Sequence, residues 1–161
     1  MTHRLGSEKD RNAVYDLYMD ETGNPYLTYD HMEAKDFIPI YDEVLKTGTL
    51  YVTEDNEEII ATYRLIPKSN RQAHIIYLGG FTIKKTLQGK GLGKQILEHI
   101  KKTVLPNGKT RIELTVDVNN SGAIALYTKT GFVTEGRIKN SYKRGDTNEY
   151  YDELLMAVIL D

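Results

Sequence analysis

The chain has 161 residues, 27% of them charged, a formal net charge of -2 and no cysteine. That length suits one domain with a buried core, and the charge balance argues against a general nucleic-acid binder, which carries a basic excess. The lack of cysteine excludes thiol nucleophiles, thiolate metal sites and disulfides, while no apolar run reaches transmembrane length and no signal-peptide core stands at the start, so the cytoplasm is the default expectation.

Ser7 and Asp10 have capping-box spacing, and Val14, Leu17 and Tyr18 follow at helical intervals, which predicts a helix ending at the breakers Thr22-Gly23-Asn24-Pro25. A second helix is expected over Phe37 to Lys46, with Gly48 as its stop. Between them Tyr26 and Tyr29 lie in a loop, where stapling the loop to the core is the simpler reading and capping a substrate pocket the other. From Thr49 the period changes to two. Leu50 to Thr53 and Ile59 to Leu65 read as strands of a hairpin turning at Asp55-Asn56, and Ile75 to Ile83 as a further strand interrupted by Gly79-Gly80. Glycines inside a strand mark a bulge, a packing gap or a close backbone approach, and their place just before the next motif favours approach by a ligand.

That motif is Gln88-Gly89-Lys90-Gly91-Leu92-Gly93-Lys94, set at the head of a run in which Leu92, Ile96, Ile100 and Val104 recur every fourth residue. Alternate glycines let the backbone bend tightly, and the helix that follows turns free N–H groups and the positive end of its dipole into the same space. The result is an anion site suited to a pyrophosphate. Two nucleotide-binding patterns fail on spacing: the P-loop meets Gln88 where it needs glycine, and the dinucleotide fingerprint meets Ile96 or Lys94. After Pro106-Asn107-Gly108, the alternation of Ile112, Leu114, Val116 and Val118 with Glu113, Thr115 and Asp117 reads as a strand, which implies a parallel crossover pair. Asn120 or Ser121 then caps a short helix that Gly131 ends.

Gln88, Gly91 and Gly93 match the Q/R-x-x-G-x-G/A signature of the GNAT superfamily of acetyl-CoA-dependent N-acetyltransferases, and Asn120, Ala123, Leu126, Tyr127, Lys129, Gly131 and Phe132 match a second pattern of that family without a gap. Tyr150 and Asp152 to Met156 resemble its closing strand. The resemblance implies a single domain over residues 1–161, with a mixed, mostly antiparallel sheet, a central splayed parallel strand pair and helices on both faces. It implies that main-chain N–H groups from Gln88 through Gly89, Lys90, Gly91, Leu92, Gly93 and Lys94 hold the pyrophosphate of coenzyme A, with Lys84, Lys85, Lys90 and Lys94 adding local charge. The strand Phe81-Thr82-Ile83 would bind the pantetheine arm and the thioester oxygen through the main chain of Phe81 and Ile83; a donor so placed lowers the barrier by roughly 3 kcal/mol. Asn120 would bond the arm as well as cap its helix, and Tyr127 would protonate the leaving thiolate.

The acceptor is read as a primary amine, in a small molecule, at a protein N-terminus or on a lysine. At pH 7 an amine of pKa about 10.4 is neutral in roughly one molecule per thousand, so a base is required. Glu113 and Asp117 share a strand face and His74 precedes the cofactor strand; Glu113 is the residue put forward, while Thr115 stands where some family members carry glutamate. No metal is implied, because carboxylates and histidines are not at ligand spacings. The first seventy residues and a loop from Arg137 to Asn148 would shape the acceptor pocket. Leu154, Leu155, Met156, Val158 and Ile159 suit a homodimer interface as readily as a core. The alternative to an enzyme is a module of the same fold that holds acyl-CoA as a sensor.

Overall fold

The structure is a computed structural model that describes residues 1–161. Strands β1 (Thr2–Leu5), β2 (Leu50–Asp55), β3 (Glu58–Pro67), β4 (Ile75–Ile83), β5 (Arg111–Asp117), β6 (Val133–Lys143) and β7 (Tyr150–Ile159) alternate with helices α1 (Arg11–Tyr18), α2 (Ala34–Lys46), α3 (Leu92–Val104) and α4 (Ser121–Lys129). The strand order is β1-β2-β3-β4-β5-β7-β6. β4 and β5 run parallel from Ile75 beside Arg111 to Tyr77 beside Glu113, whereas β1–β2, β2–β3, β5–β7 and β6–β7 are antiparallel. The sheet is therefore mixed and mostly antiparallel, as expected. The chain forms two compact units: Met1–Leu65 with Gly80–Gln88, and Ile66–Gly79 with Gly89–Asp161.

In the first unit the apolar faces of both helices meet the sheet. Val14 and Tyr18 of α1 and Phe37 and Tyr41 of α2 form one buried cluster with Met19, Leu50 and Val52. The capping-box residues act together, for the Ser7 N–H and hydroxyl both donate to Asp10 Oδ2 at 2.9 and 2.8 Å. Asp10 is also gripped by both terminal nitrogens of Arg4, which reaches Glu54 as well. Arg4 belongs to a strand that the sequence pattern did not announce, because four residues are too few to show an alternation. α2 starts at Ala34, three residues before the first buried position of its apolar face, and runs through Pro39. α1 ends at Tyr18, ahead of the Thr22–Pro25 cluster expected to stop it, and Asn24 Nδ2 ties the turn down by donating to the carbonyls of Tyr18 and Tyr29.

In the second unit α3 buries Ile96, Leu97, Ile100 and Val104, and β5 buries Ile112, Leu114 and Val116, the residues whose spacing predicted both elements. Asn120 caps α4 by accepting from the Ala123 N–H at 3.2 Å, and Gly131 follows its end at φ +88°. One expectation is corrected here. Residues Arg137 to Lys143 are not loop but the second half of β6, so the connection to β7 shrinks to residues 144–149. β6 is hidden from pattern reading because it borders only β7, is exposed from Val133 to Asn140, and shifts register between Thr134 and Gly136 and again between Ile138 and Tyr142.

The Arg4 guanidinium, reinforced by Ser7, holds the Asp10 carboxyl at about 2, against an ordinary 3.8. A depressed pKa contributes stability above the unfolded value that is lost as pH falls through the folded one. Asp10→Asn is therefore expected to cost about 2 kcal/mol at neutral pH, and the gap between variant and wild type in urea denaturation to close between pH 4 and pH 2. A gap that persists at pH 2 would contradict the assignment.

Candidate active site

The first unit supplies the far half of β4 and the segment after it. Pairing with β5 stops at Tyr77 and Glu113, which leaves the β4 main chain from Leu78 onward without a partner in β5. Gly79 and Gly80 stand at this departure, and the side-chain space of each is already filled by a tyrosine. A Cβ at Gly79 would lie 3.3 Å from the Tyr77 ring; one at Gly80 would lie 2.5 Å from the Tyr18 hydroxyl. Gly80 also has φ +55°, a left-handed conformation in the middle of a strand that strongly favours glycine. The side-chain direction at both glycines is thus occupied by the protein's own tyrosines.

Phe81 packs edge-on against Tyr63, with ring centroids 6.4 Å apart. The Lys84 N–H donates to the Ile60 carbonyl at 2.8 Å, and Gln88 Nε2 donates to the Ile83 carbonyl at 2.9 Å, so Gln88 braces the turn through its side chain. Lys84 spends its charge on Glu58. The end of α1 lies along the same strand: a Cβ at Gly23 would meet Thr82 Oγ1 at 3.8 Å and Asp20 Oδ1 at 3.7 Å.

The second unit supplies the glycine-rich turn and α4. Gly89 and Gly91 have φ +75° and +82°, and open space faces the side-chain direction of both. Gly91 is the N-cap of α3 and brings no side chain to it. The first helical bond runs from the Gln95 N–H to the Gly91 carbonyl, leaving the N–H groups of Leu92, Gly93 and Lys94 without a carbonyl in the chain. Left-handed residues leading into an uncapped helix make a concave set of N–H donors at the positive end of a dipole, which suits a phosphate. Lys90 and Lys94 are exposed beside it.

Tyr127 is 7% exposed and packs on Phe132 at 5.5 Å between ring centroids, while its hydroxyl makes no hydrogen bond within the chain. Burial, and secondarily Tyr77, push its pKa well above the ordinary range, so the phenol keeps its proton at neutral pH. The carboxylates singled out as bases are engaged. Glu113, buried, is paired with Lys68 and with Arg111 Nε. Asp117, buried too, accepts from the Asn119 N–H at 2.6 Å and from the Tyr142 hydroxyl. Thr115 shares a 2.8 Å hydrogen bond with the Tyr77 hydroxyl, and the His74 ring is exposed. Tyr18 and Tyr77 entered the sequence reading only as helix and strand residues; their places over the two glycines depend on tertiary packing and leave no local signal.

A turn of unpaired amides thus opens α3, in an α/β chain whose β4 has left its parallel neighbour. A model of the acetyltransferase (GNAT) family matches residues 11–132, and the chain belongs to that family. It is 28% identical over 76 residues to an N-alpha-acetyltransferase MAK3 of Arabidopsis thaliana, an alignment covering 47% of this chain and 40% of that protein, so the chain spans well under half of this relative. It is 29% identical over 136 residues to a probable spermine N(1)-acetyltransferase of Bacillus subtilis subsp. natto, covering 82% and 87% of the two chains. The fold of yncA from Salmonella typhimurium, solved with its cofactor acetyl-CoA, superposes with a TM-score of 0.77 at 18% identity, over 100% of this chain and 94% of that one.

Gly80→Ala is expected to destabilise by about 3 kcal/mol, from left-handed strain and overlap with the Tyr18 hydroxyl together. Removing that hydroxyl in the double variant Gly80→Ala/Tyr18→Phe should return the share due to overlap, leaving about 1–2 kcal/mol in guanidinium denaturation. Equal losses in the single and double variants would show that the hydroxyl does not occupy that space.

Proposed function

We propose that residues 1–161 act as one catalytic domain that transfers the acetyl group of acetyl-CoA directly to a primary amine. The residues present fit the cosubstrate. The open N–H groups of Leu92, Gly93 and Lys94, with Lys90 and Lys94 nearby, match a pyrophosphate, and the β4 main chain beyond Tyr77 can bond an extended pantetheine arm. Acetyl-CoA supplies an activated carbonyl joined to a thiolate leaving group. In this reading the main-chain N–H groups at Phe81 and Ile83 orient the carbonyl oxygen; the Ile83 carbonyl is taken by Gln88. Asn120 holds the entry to α4, and Glu113 anchors Lys68 and Arg111.

Transfer forms a bond from the amine nitrogen to the carbonyl carbon and breaks the C–S bond, the sulfur taking a proton as the nitrogen loses one. The observation that carries this part is the Tyr127 hydroxyl, which is buried, unpartnered and held in its protonated form. A phenol of raised pKa keeps its proton, so it steadies a departing thiolate by donating a hydrogen bond to the sulfur rather than by giving the proton up. The names of relatives cover both a protein N-terminal amine and a polyamine, which supports a primary amine as the acceptor class. No helix is long and apolar enough to cross a membrane, and the cytoplasm is the compartment this reading gives it.

The test is acetyl-CoA turnover, followed as free-thiol release, against polyamines, amino acids, aminoglycosides and short peptides. Tyr127→Phe is expected to lower acceptor-dependent release by about a hundredfold while acetyl-CoA affinity, read by calorimetry, stays unchanged. Tight acetyl-CoA binding with no acceptor-dependent release from wild type would favour a sensor module, and no binding would remove the site itself.

A further inference from the structure

Three tyrosines surround Phe37 in the first unit, with ring centroids 5.6 Å (Tyr15), 5.9 Å (Tyr18) and 5.9 Å (Tyr41) from its own. Two of them spend their hydroxyls on the chain: Tyr15 donates to the Met32 carbonyl at 2.9 Å and Tyr41 to the Ser7 carbonyl at 2.8 Å. Tyr18 does not. Its ring is held by stacking on Tyr29 and by the edge of Phe37, the residue is 5% exposed, and its hydroxyl bonds to nothing in the protein. Nor is that oxygen sealed off, since the side-chain polar atom that is both fully enclosed and unpaired is Arg11 Nε. A hydroxyl on a residue nine-tenths buried, unpaired within the chain and open at the oxygen, is available to a partner from outside the chain.

The position of the hydroxyl indicates what that partner is. It fills the side-chain space of Gly80, one residue before Phe81, whose main chain is assigned above to the thioester oxygen. The turn after α1 lies along the same stretch, with Gly23 beside Thr82. In that turn Asp20 is kept ionised by the Thr22 hydroxyl and by the Thr22 and Gly23 N–H groups, with the Lys85 cation also near it.

We propose that the Tyr18 hydroxyl is the docking point for the acceptor amine, its oxygen accepting one N–H and so turning the nitrogen lone pair toward the acetyl carbon beside Phe81. This rests on the acetyl-transfer reading and adds to it a second phenol, one that serves the acceptor while Tyr127 serves the leaving group. Burial holds Tyr18 in its neutral form well beyond the ordinary range, so it orients the amine and does not deprotonate it. No proton enters or leaves Tyr18 in the reaction.

Tyr18→Phe keeps the ring and removes an oxygen that bonds nothing in the protein, so a purely structural role, filling the space at Gly80, predicts at most a lower denaturation midpoint with the acceptor KM unchanged. Steady-state constants are compared with spermine and with a short peptide bearing a free α-amino group, alongside urea denaturation. The proposal requires the acceptor KM to rise about tenfold, the value of one lost hydrogen bond, with the acetyl-CoA KM within about twofold. An unchanged acceptor KM, or an acetyl-CoA KM that rises as much, overturns it and leaves the acetyl-transfer reading standing. A wild-type protein that acetylates neither these probes nor any amine of the wider panel removes both, and is recognised by the silence of the wild type itself.

Discussion

The structure depends on the point at which β4 stops pairing with β5. Parallel strands are ordinarily committed to each other along their length, because every main-chain group that loses its ladder partner must find another or face water. Here the pairing ends at Tyr77 and Glu113, and a left-handed residue three positions later turns the rest of β4 onto its own course. What makes the departure stable is local. The Tyr77 ring lies over Gly79 and the Tyr18 hydroxyl over Gly80, so the missing side chains leave no hole. The head of α3, in the second unit, likewise keeps N–H groups without a carbonyl partner in the chain.

A division of labour between charges and neutral dipoles follows. The buried carboxylates are all committed to structure: Asp10 to Arg4, Glu113 to Lys68 and Arg111, Asp117 to Asn119 and Tyr142. Removing either partner of such a pair strands a charge, which makes these groups poor candidates to change protonation during a reaction. The phenols of Tyr18 and Tyr127 have no such commitment. A neutral hydroxyl costs far less to bury than an ion and keeps its direction when water is excluded, so it can wait unpaired for a substrate at modest expense.

How much of this was legible in the sequence depended on how far apart the interacting residues lie. α3, β5 and the capped α4 were plain because their signals repeat within one turn or one pleat, as with Ile96, Ile100 and Val104, or sit in a contiguous motif, as with Asn120 and Tyr127. The uncapped turn before α3 could be read as well, because glycine spacing fixes its geometry. β1 was invisible for want of length, and the second half of β6 was taken for loop because an exposed, irregular edge strand has no buried face to alternate against. The engagement of Glu113 escaped notice for a different reason: Lys68 lies far from it in sequence, and a carboxylate on a polar strand face looks the same whether it is free or paired. Tyr18 shows the limit most clearly. Its period placed it on the inner side of a helix, but nothing local distinguishes a tyrosine that donates to a carbonyl, as Tyr15 does, from one that donates to nothing.

β6 bears on behaviour at high concentration. An eleven-residue strand with one unpaired edge offers a row of main-chain donors and acceptors to any other strand that comes near, the usual starting point of sheet-to-sheet aggregation. Its two register shifts interrupt that row, and Asn140 breaks the extended backbone with a left-handed φ of +49°. Lys139 and Lys143 add positive charge to the same strand, while Arg137 is paired with Asp152. The irregularity that hid β6 from pattern reading is thus also its protection: without a uniform edge, neighbouring molecules have no long template on which to polymerise.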